Sequence, residues 1–414
     1  MPDFKNADFK NADFKNQAAI VGVGYSKIGR RQQRPLGLLA IDAATAAVAD
    51  AGLELADIDG AATFPMFPGG NEGGDHGDGV SVVTTAWLIN HLGLENITWW
   101  AETQTGNIST AIEQAVMALS LHRCDYALVF RALHMPGEGS YQRTHVSNDA
   151  PGDSAYTIPY GLGGAPMAFA LTYMRYLKLY GARREELGTL AVAQRHGANL
   201  NPRALFHDVP LTLDDYMTCR MVADPMCLFD CDIPVDGAAA IVLARADRAR
   251  DLPHPPVYVT GLGQSSYLKG SPPISLGGIG PGLFDEVRHT AATIGRGIWQ
   301  TSGLRPDEVD AAMLYDGFAP DVYFWLEGLG FCGEGEAHEW IQDGRIEIGG
   351  EFPVNTFGGN LSEGRLHGMG HWVEATLQIQ GRAEERQLAR ADNIVVATGL
   401  LNHGSGAMLS KTPL

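Results

Sequence analysis

Thr98-Trp99-Trp100-Ala101-Glu102-Thr103-Gln104-Thr105-Gly106-Asn107-Ile108-Ser109-Thr110 joins a β-rich stretch to a helix, and its reading decides the fold. Downstream, Ile108, Ile112, Ala115 and Leu119 recur at helical spacing, which gives the helix one clear buried face. Thr105 stands at the N-terminal end of that helix, where unpaired amides and the helix dipole favour negative charge. No cysteine lies near it.

Outward from this segment, the chain is similar to itself. Val21-Gly22-Val23-Gly24 closes one apolar run, and Thr260-Gly261-Leu262-Gly263 closes another. Each is followed by a helical stretch, a Gly-Leu stop (Gly52-Leu53, Gly303-Leu304), an acidic turn and a further apolar run. Two such copies, about 250 residues apart, are too few for a solenoid and imply two α/β halves with helix-covered, largely parallel sheets. The first half is expected over 17–250 and the second over 256–414, joined at Asp251-Leu252-Pro253-His254-Pro255-Pro256. Residues 131–218 are rich in Gly, Pro, Tyr and His and break the strand–helix rhythm, as expected for a cap over a site. Residues 1–16 carry a five-residue repeat that suits neither helix nor strand, and are expected to be a solvated extension without function. Gly22, Gly24 and Gly29 miss the dinucleotide-binding spacing, so a close-packed strand end is the expectation there.

Hydrophobic residues make up 45% of the 414 and charged residues 19%, an ordinary globular balance. The net charge of −18, without a Lys or Arg run, disfavours nucleic acid as a partner. Five cysteines without a Cys-x-x-Cys pair suit reduced, buried thiols in a cytoplasmic protein. No run of 18 apolar residues predicts a membrane span, and no signal peptide is visible.

The opening segment resembles the strand–turn–helix on which thiolases carry their nucleophilic cysteine, usually in a Glu-Thr-Ala-Cys phrase. Here the phrase is Glu102-Thr103-Gln104-Thr105, so the backbone amide survives and the thiol does not. Leu314-Tyr315-Asp316-Gly317-Phe318 resembles the thiolase Asn-Glu-Ala-Phe loop, with Tyr315 in the amide position and Asp316 in the acidic one. Asn355 to His371 resembles the glycine-rich loop that bears the catalytic histidine. Arg365 occupies that histidine position, and His367-Gly368 matches the His-Gly of cysteine-less lipid-transfer-protein aldolases. Those relatives have a tyrosine where this chain has Arg365. Gly404 and Gly406 match the glycines around the second thiolase cysteine, which is also missing. His367 and His371 are four apart, but no third ligand completes a metal motif.

The resemblance covers about residues 17–414 and identifies the chain with the thiolase superfamily, in its cysteine-less lipid-transfer-protein (sterol-carrier-protein-x-like) group. It implies an α/β thiolase fold: two duplicated βαβαβαββ halves in an α-β-α-β-α core, with helices buried between two mixed sheets. It implies a homodimer through the strand at 96–100, and a small OB-fold and zinc-ribbon partner protein. It also implies retro-aldol cleavage of a β-hydroxyacyl-CoA, of steroid side-chain type, without a covalent acyl-enzyme. The CoA thioester is then the substrate, and no cofactor or metal is expected. Tyr315, His367, Tyr267 and Asp316 are the expected catalytic groups; Thr105, Arg365, Gly404 and Gly406 are expected to bind substrate or its oxyanion. Two alternatives stay open: a non-catalytic acyl-CoA or lipid-binding subunit, and a thiolase that uses a distant cysteine such as Cys332.

Overall fold

The apolar run Gly237–Arg245 carries alanine and β-branched residues without alternation and is buried along nearly its whole length. A strand of that kind needs neighbours on both edges and cover on both faces, and it has them. The computed structural model describes residues 14–65, 80, 82–103, 107–134, 155, 158–162, 165–266, 283–400 and 403–414. Their strands are β1 (Ala18–Tyr25), β2 (Gly60–Thr63), β3 (Trp99–Glu102), β4 (Tyr126–Leu133), β5 (Met221–Ala223), β6 (Met226–Cys227), β7 (Gly237–Arg245), β8 (Val257–Ser266), β9 (Ala311–Leu314), β10 (Asn393–Leu400) and β11 (His403–Ser410). The helices are α1 (Leu36–Asp50), α2 (Thr85–Leu92), α3 (Asn107–Ser120), α4 (Ala165–Tyr180), α5 (Arg184–Asn199), α6 (Leu213–Thr218), α7 (Ala246–Ala249), α8 (Leu283–Ser302), α9 (Asp321–Leu329), α10 (Ala337–Trp340), α11 (Gly359–Ser362) and α12 (Met369–Gln380).

The main sheet runs β3-β2-β4-β7-β1-β8-β11-β10-β9. Outward from its centre, β1-β7-β4-β2 is mirrored by β8-β11-β10-β9, so the internal duplication is visible as strand order. The halves meet where β1 and β8 pair antiparallel, Ala19 opposite Tyr258 and Ile20 opposite Val257. The expectation of two separate sheets is corrected here: hydrogen bonds at this seam make them one. Layering persists because α3 and α12 pack against strands of both halves, α1 covers β1, β7 and β4 from outside, and α8 covers β8 and β11. Every described residue of α12 but Gln380 is buried, as a helix in a middle layer must be.

Both Gly-x-Gly phrases mark helix–strand contact. A Cβ on Gly24 would stand 2.3 Å from the Ala43 carbonyl oxygen of α1, and one on Gly263 would stand 2.1 Å from that of Ile294 in α8. The cap expected from residue 131 begins later, since β4 continues to Leu133. Its helices α4, α5 and α6 sit over the second half, and Arg195 Nε donates to Ser362 Oγ at 3.0 Å. The repeat at the N-terminus is not wholly solvated. Asn16 Nδ2 donates to the Leu414 carbonyl at 2.7 Å and Lys15 Nζ to that of Ser302 at 2.8 Å. The other repeat residues, 1–13, lie outside the described residues.

Glu113 of α3 is buried, and among the described residues its Oε2 has no hydrogen-bond partner. Burial raises its carboxyl from the ordinary 4.5 to about 7. The native chain therefore holds a proton that the unfolded chain releases, and stability falls as pH rises from about 4.5 to about 7. Glu113→Gln is expected to gain up to about 3 kcal/mol at pH 8 and almost nothing at pH 4. Urea unfolding at both values checks this; an unchanged pH 8 midpoint would refute it.

Candidate active site

β9 ends at Leu314, and Asn355 clamps that end: its Oδ1 accepts from Leu314 N and its Nδ2 donates to the Leu314 carbonyl, both at 2.7 Å. Tyr315 follows with its amide held by the Ala397 carbonyl at 2.9 Å. Its ring folds back over Gly317, where a Cβ would stand 2.7 Å from ring carbon Cε1. Only glycine leaves room for that. Tyr315 stays partly exposed. Burial of the hydroxyl, then the charge of Asp232, push the phenol above its ordinary value, and Arg365 pulls the other way. The group is a protonated donor at neutral pH.

Asp316, expected among the catalytic groups to orient its neighbours, is fully buried. Its Oδ1 accepts from Asn360 N at 2.9 Å and its Oδ2 from Leu361 N at 3.3 Å, at the start of α11. Nε2 of His371, also fully buried, faces Asp316 Oδ1 at 3.1 Å and the Leu314 carbonyl at 3.0 Å. Two acceptors at one nitrogen assign the proton to it. Asp316 and His371 thus orient the loop beneath Tyr315.

The loop after α11 carries a buried cluster of opposite charges. His367 adopts a positive φ of 50°. Its Nδ1 faces Arg131 Nη2 at 2.9 Å, and its Nε2 faces Arg365 Nη1. A neutral imidazole accepts at one nitrogen only, so only one of the two guanidiniums can donate to the ring while it stands between them. Arg365 also lies 3.6 Å from Asp232 Oδ2 through its Nε. Arg131 stacks over Phe64 at 5.4 Å, and Phe64 meets His367 edge-on.

The four segments found by sequence are brought to one place. Ser109 Oγ at the start of α3 meets Thr398 Oγ1 of β10 at 2.5 Å and accepts from Trp372 Nε1 at 2.7 Å. Thr110 Oγ1 meets Ser405 Oγ of β11 at 3.2 Å. Thr105 and Tyr267 lie outside the described residues. Gly404 and Gly406 were expected to offer oxyanion amides. They lie within β11, paired on one side with β8 and on the other with β10, so the sheet ladder uses that backbone. Arg131 and Asp232 escaped the sequence reading. A lone charge inside the apolar strand Tyr126–Leu133 was a usable signal for Arg131. Asp232 had none, because nothing in its spacing shows what the chain brings to it.

Among the described residues no group of three His, Cys, Asp or Glu is arranged to hold a metal. All five cysteines are free thiols. Burial pushes the Cys124 thiol up to about 12 and raises Cys332 as well. No described helix is long and apolar enough to cross a membrane.

Comparison with known proteins fits this geometry. Residues 285–412 match the family described as "Thiolase C-terminal domain-like". The chain is 32% identical to the 17-hydroxy-3-oxo-4-pregnene-20-carboxyl-CoA lyase of Mycobacterium tuberculosis, over 95% of this chain and 99% of that one. It is 33% identical to the steroid side-chain-cleaving aldolase of Thermomonospora curvata, over 95% and 97% respectively. The solved structure of an Ltp2-ChsH2(DUF35) aldolase superposes with a TM-score of 0.82 at 32% identity, covering 96% of this chain and 98% of that one.

Proposed function

The chain belongs to the steroid side-chain-cleaving aldolases built on a thiolase scaffold, and from that membership we propose that it cleaves a β-hydroxyacyl-CoA of steroid side-chain type by a retro-aldol step. The products are a ketone and a short acyl-CoA. No acyl-enzyme forms, since threonine stands at the thiolase nucleophile position. The reaction needs three services: the β-hydroxyl proton must leave, the enolate oxygen must be stabilised, and the α-carbon must be reprotonated.

The reading is carried by the Arg365–His367–Arg131 cluster, which Asp232 links to the Tyr315 loop through Arg365 and the Gly317 carbonyl. Tyr315 handles the proton at a partly exposed position. The two guanidiniums, one offset by Asp232, leave positive potential where the thioester oxyanion develops. Thr105 is proposed to add its backbone amide at the start of α3. The CoA thioester is the substrate, and the reading requires no resident cofactor.

A partner subunit of the DUF35 kind is part of the proposal, as is a homodimer in the cytoplasm. Strand β3 forms one edge of the sheet with Trp100 61% exposed on it, an edge that a monomer would have to shield. Incubation with a 17-hydroxy steroid side-chain CoA thioester, with the DUF35-type partner present, is expected to release ketone and short acyl-CoA in equal amounts. Absence of both products would overturn the proposal.

A further inference from the structure

Lys27-Ile28-Gly29-Arg30-Arg31-Gln32-Gln33-Arg34, the loop after β1, puts four cations into eight positions of a chain whose net charge is −18. All four are exposed. Arg34 is taken by Asp42, which accepts from its Nε at 2.6 Å and its Nη2 at 2.5 Å. Among the described residues Lys27, Arg30 and Arg31 form no ion pair. Partial burial, then the charge of Arg31, lower the Arg30 guanidinium from its ordinary value, so the two neighbours repel each other.

The loop is nonetheless fixed. Gly29 N donates to the Asp236 carbonyl at 3.0 Å, and Asp236 N to that of Gly29 at 2.7 Å. The buried Asp236 carboxylate accepts from Gln32 N at 2.6 Å. Gln32 Nε2 donates to the carbonyls of Asp236 at 2.8 Å and Lys27 at 3.0 Å. Like charges held side by side on a fixed backbone are stabilised by an anion that both guanidiniums can fork.

The loop also has a particular place. A Cβ on Gly364, the residue before Arg365, would stand 3.4 Å from Ile28 Cγ2. One on Gly237 would stand 3.4 Å from Ile28 Cγ1 and 3.6 Å from Leu366 Cδ2, so Ile28 packs beside both neighbours of Arg365. At the far end His134 Nε2 donates to the Arg34 carbonyl at 3.3 Å, and His134 follows β4, which supplies Arg131. The loop therefore lies against both segments that supply the buried guanidiniums of the candidate active site, with its own cations at the surface.

We infer that Arg30 and Arg31, supported by Lys27, bind the phosphates at the nucleotide end of the CoA thioester. A CoA thioester carries its reacting carbonyl and its phosphates at opposite ends of the pantetheine arm. A buried pair of cations serves the first end and an exposed pair at the rim serves the second. Guanidinium forks match phosphate oxygens in pairs. The overall charge of −18 opposes a polyanion, and a local cationic spot reverses the field where the ligand enters.

The subsite rests on the CoA thioester of the proposed function, and direct binding separates it from the cleavage reaction. Desulfo-CoA, which has the phosphates and no thiol, is titrated calorimetrically into the full chain with its partner. Arg30→Gln/Arg31→Gln is expected to weaken its binding at least ~10-fold. Arg248→Gln/Arg305→Gln, which removes two exposed guanidiniums elsewhere, is expected to bind within ~2-fold of wild type, because distant surface charges are screened. Both pairs are exposed, so both variants are expected to fold. With the CoA thioester as substrate, the Arg30/Arg31 variant is expected to raise KM at least ~10-fold with kcat within ~3-fold, since the contact is made equally before and during the reaction. Wild-type protein that binds no desulfo-CoA overturns the subsite, as does an Arg30/Arg31 variant with unchanged affinity, or an equal loss in both double variants, which would reduce the effect to net charge. Loss of the partner on gel filtration with desulfo-CoA affinity retained would assign the loop to the partner and also overturn it. The weakened binding of desulfo-CoA in a protein that cleaves no thioester would uphold the subsite and overturn the aldolase reading; cleavage with an unaffected variant would do the reverse.

Discussion

Tyr315→Phe is expected to lower turnover of the CoA thioester at least ~100-fold, the scale of losing one acid–base group. Phenylalanine keeps the ring against Gly317 and removes only the hydroxyl, so the fold is expected to survive. His367→Ala is expected to lose as much for a different reason. Without the imidazole, Arg131 and Arg365 face each other with no group between them, and like charges repel strongly in a low-dielectric site. By contrast Cys332→Ser and Cys124→Ser are expected to stay within ~3-fold, because neither thiol takes part in the proton transfer. Treatment with iodoacetamide should leave the activity in place. Full turnover by the tyrosine variant would refute this mechanism, and loss of activity on alkylation would restore the thiolase alternative.

Arg386→Met is expected to destabilise the protein by about 3–5 kcal/mol, the usual cost of leaving one partner of a buried ion pair alone. Arg386 and Glu374 are both buried. The guanidinium meets the carboxylate through Nε at 3.2 Å and Nη2 at 3.1 Å, and Nη1 donates to the Leu200 carbonyl at 3.1 Å. Glu374 Oε1 also accepts from Thr356 Oγ1 at 2.9 Å and Gln378 Nε2 at 3.0 Å. The pair ties α12, which carries His371, to the chain leaving α5. Replacing both partners, Arg386→Met with Glu374→Met, is expected to recover most of the loss, since no charge is then stranded. Urea denaturation of the single and double variants measures both. A single variant as stable as wild type, or a double variant worse than the single, would contradict this account.

The sequence by itself determined the class of fold, the duplication and the absence of covalent cysteine chemistry. These features are local: glycines where helix and strand touch, apolar residues at helical spacing along α3, and threonine in place of cysteine at position 105. It also singled out Tyr315, Arg365 and His367 as candidates, because their loops keep recognisable glycine frames. Tertiary structure decided what those groups can do. Asp316 reads as an acidic group that orients its neighbours, and only space names them: α11 turns two amides onto it. His367 reads as an acid–base group and stands between two guanidiniums, one supplied by β4 from 236 residues away. Gly406 reads as an oxyanion donor and lies in a strand paired on both sides. The chain cannot announce such partners, because an ion pair is fixed by distance in space. Asp232 reached the Gly317 and Arg365 loops only when the segment before β7 was drawn between them.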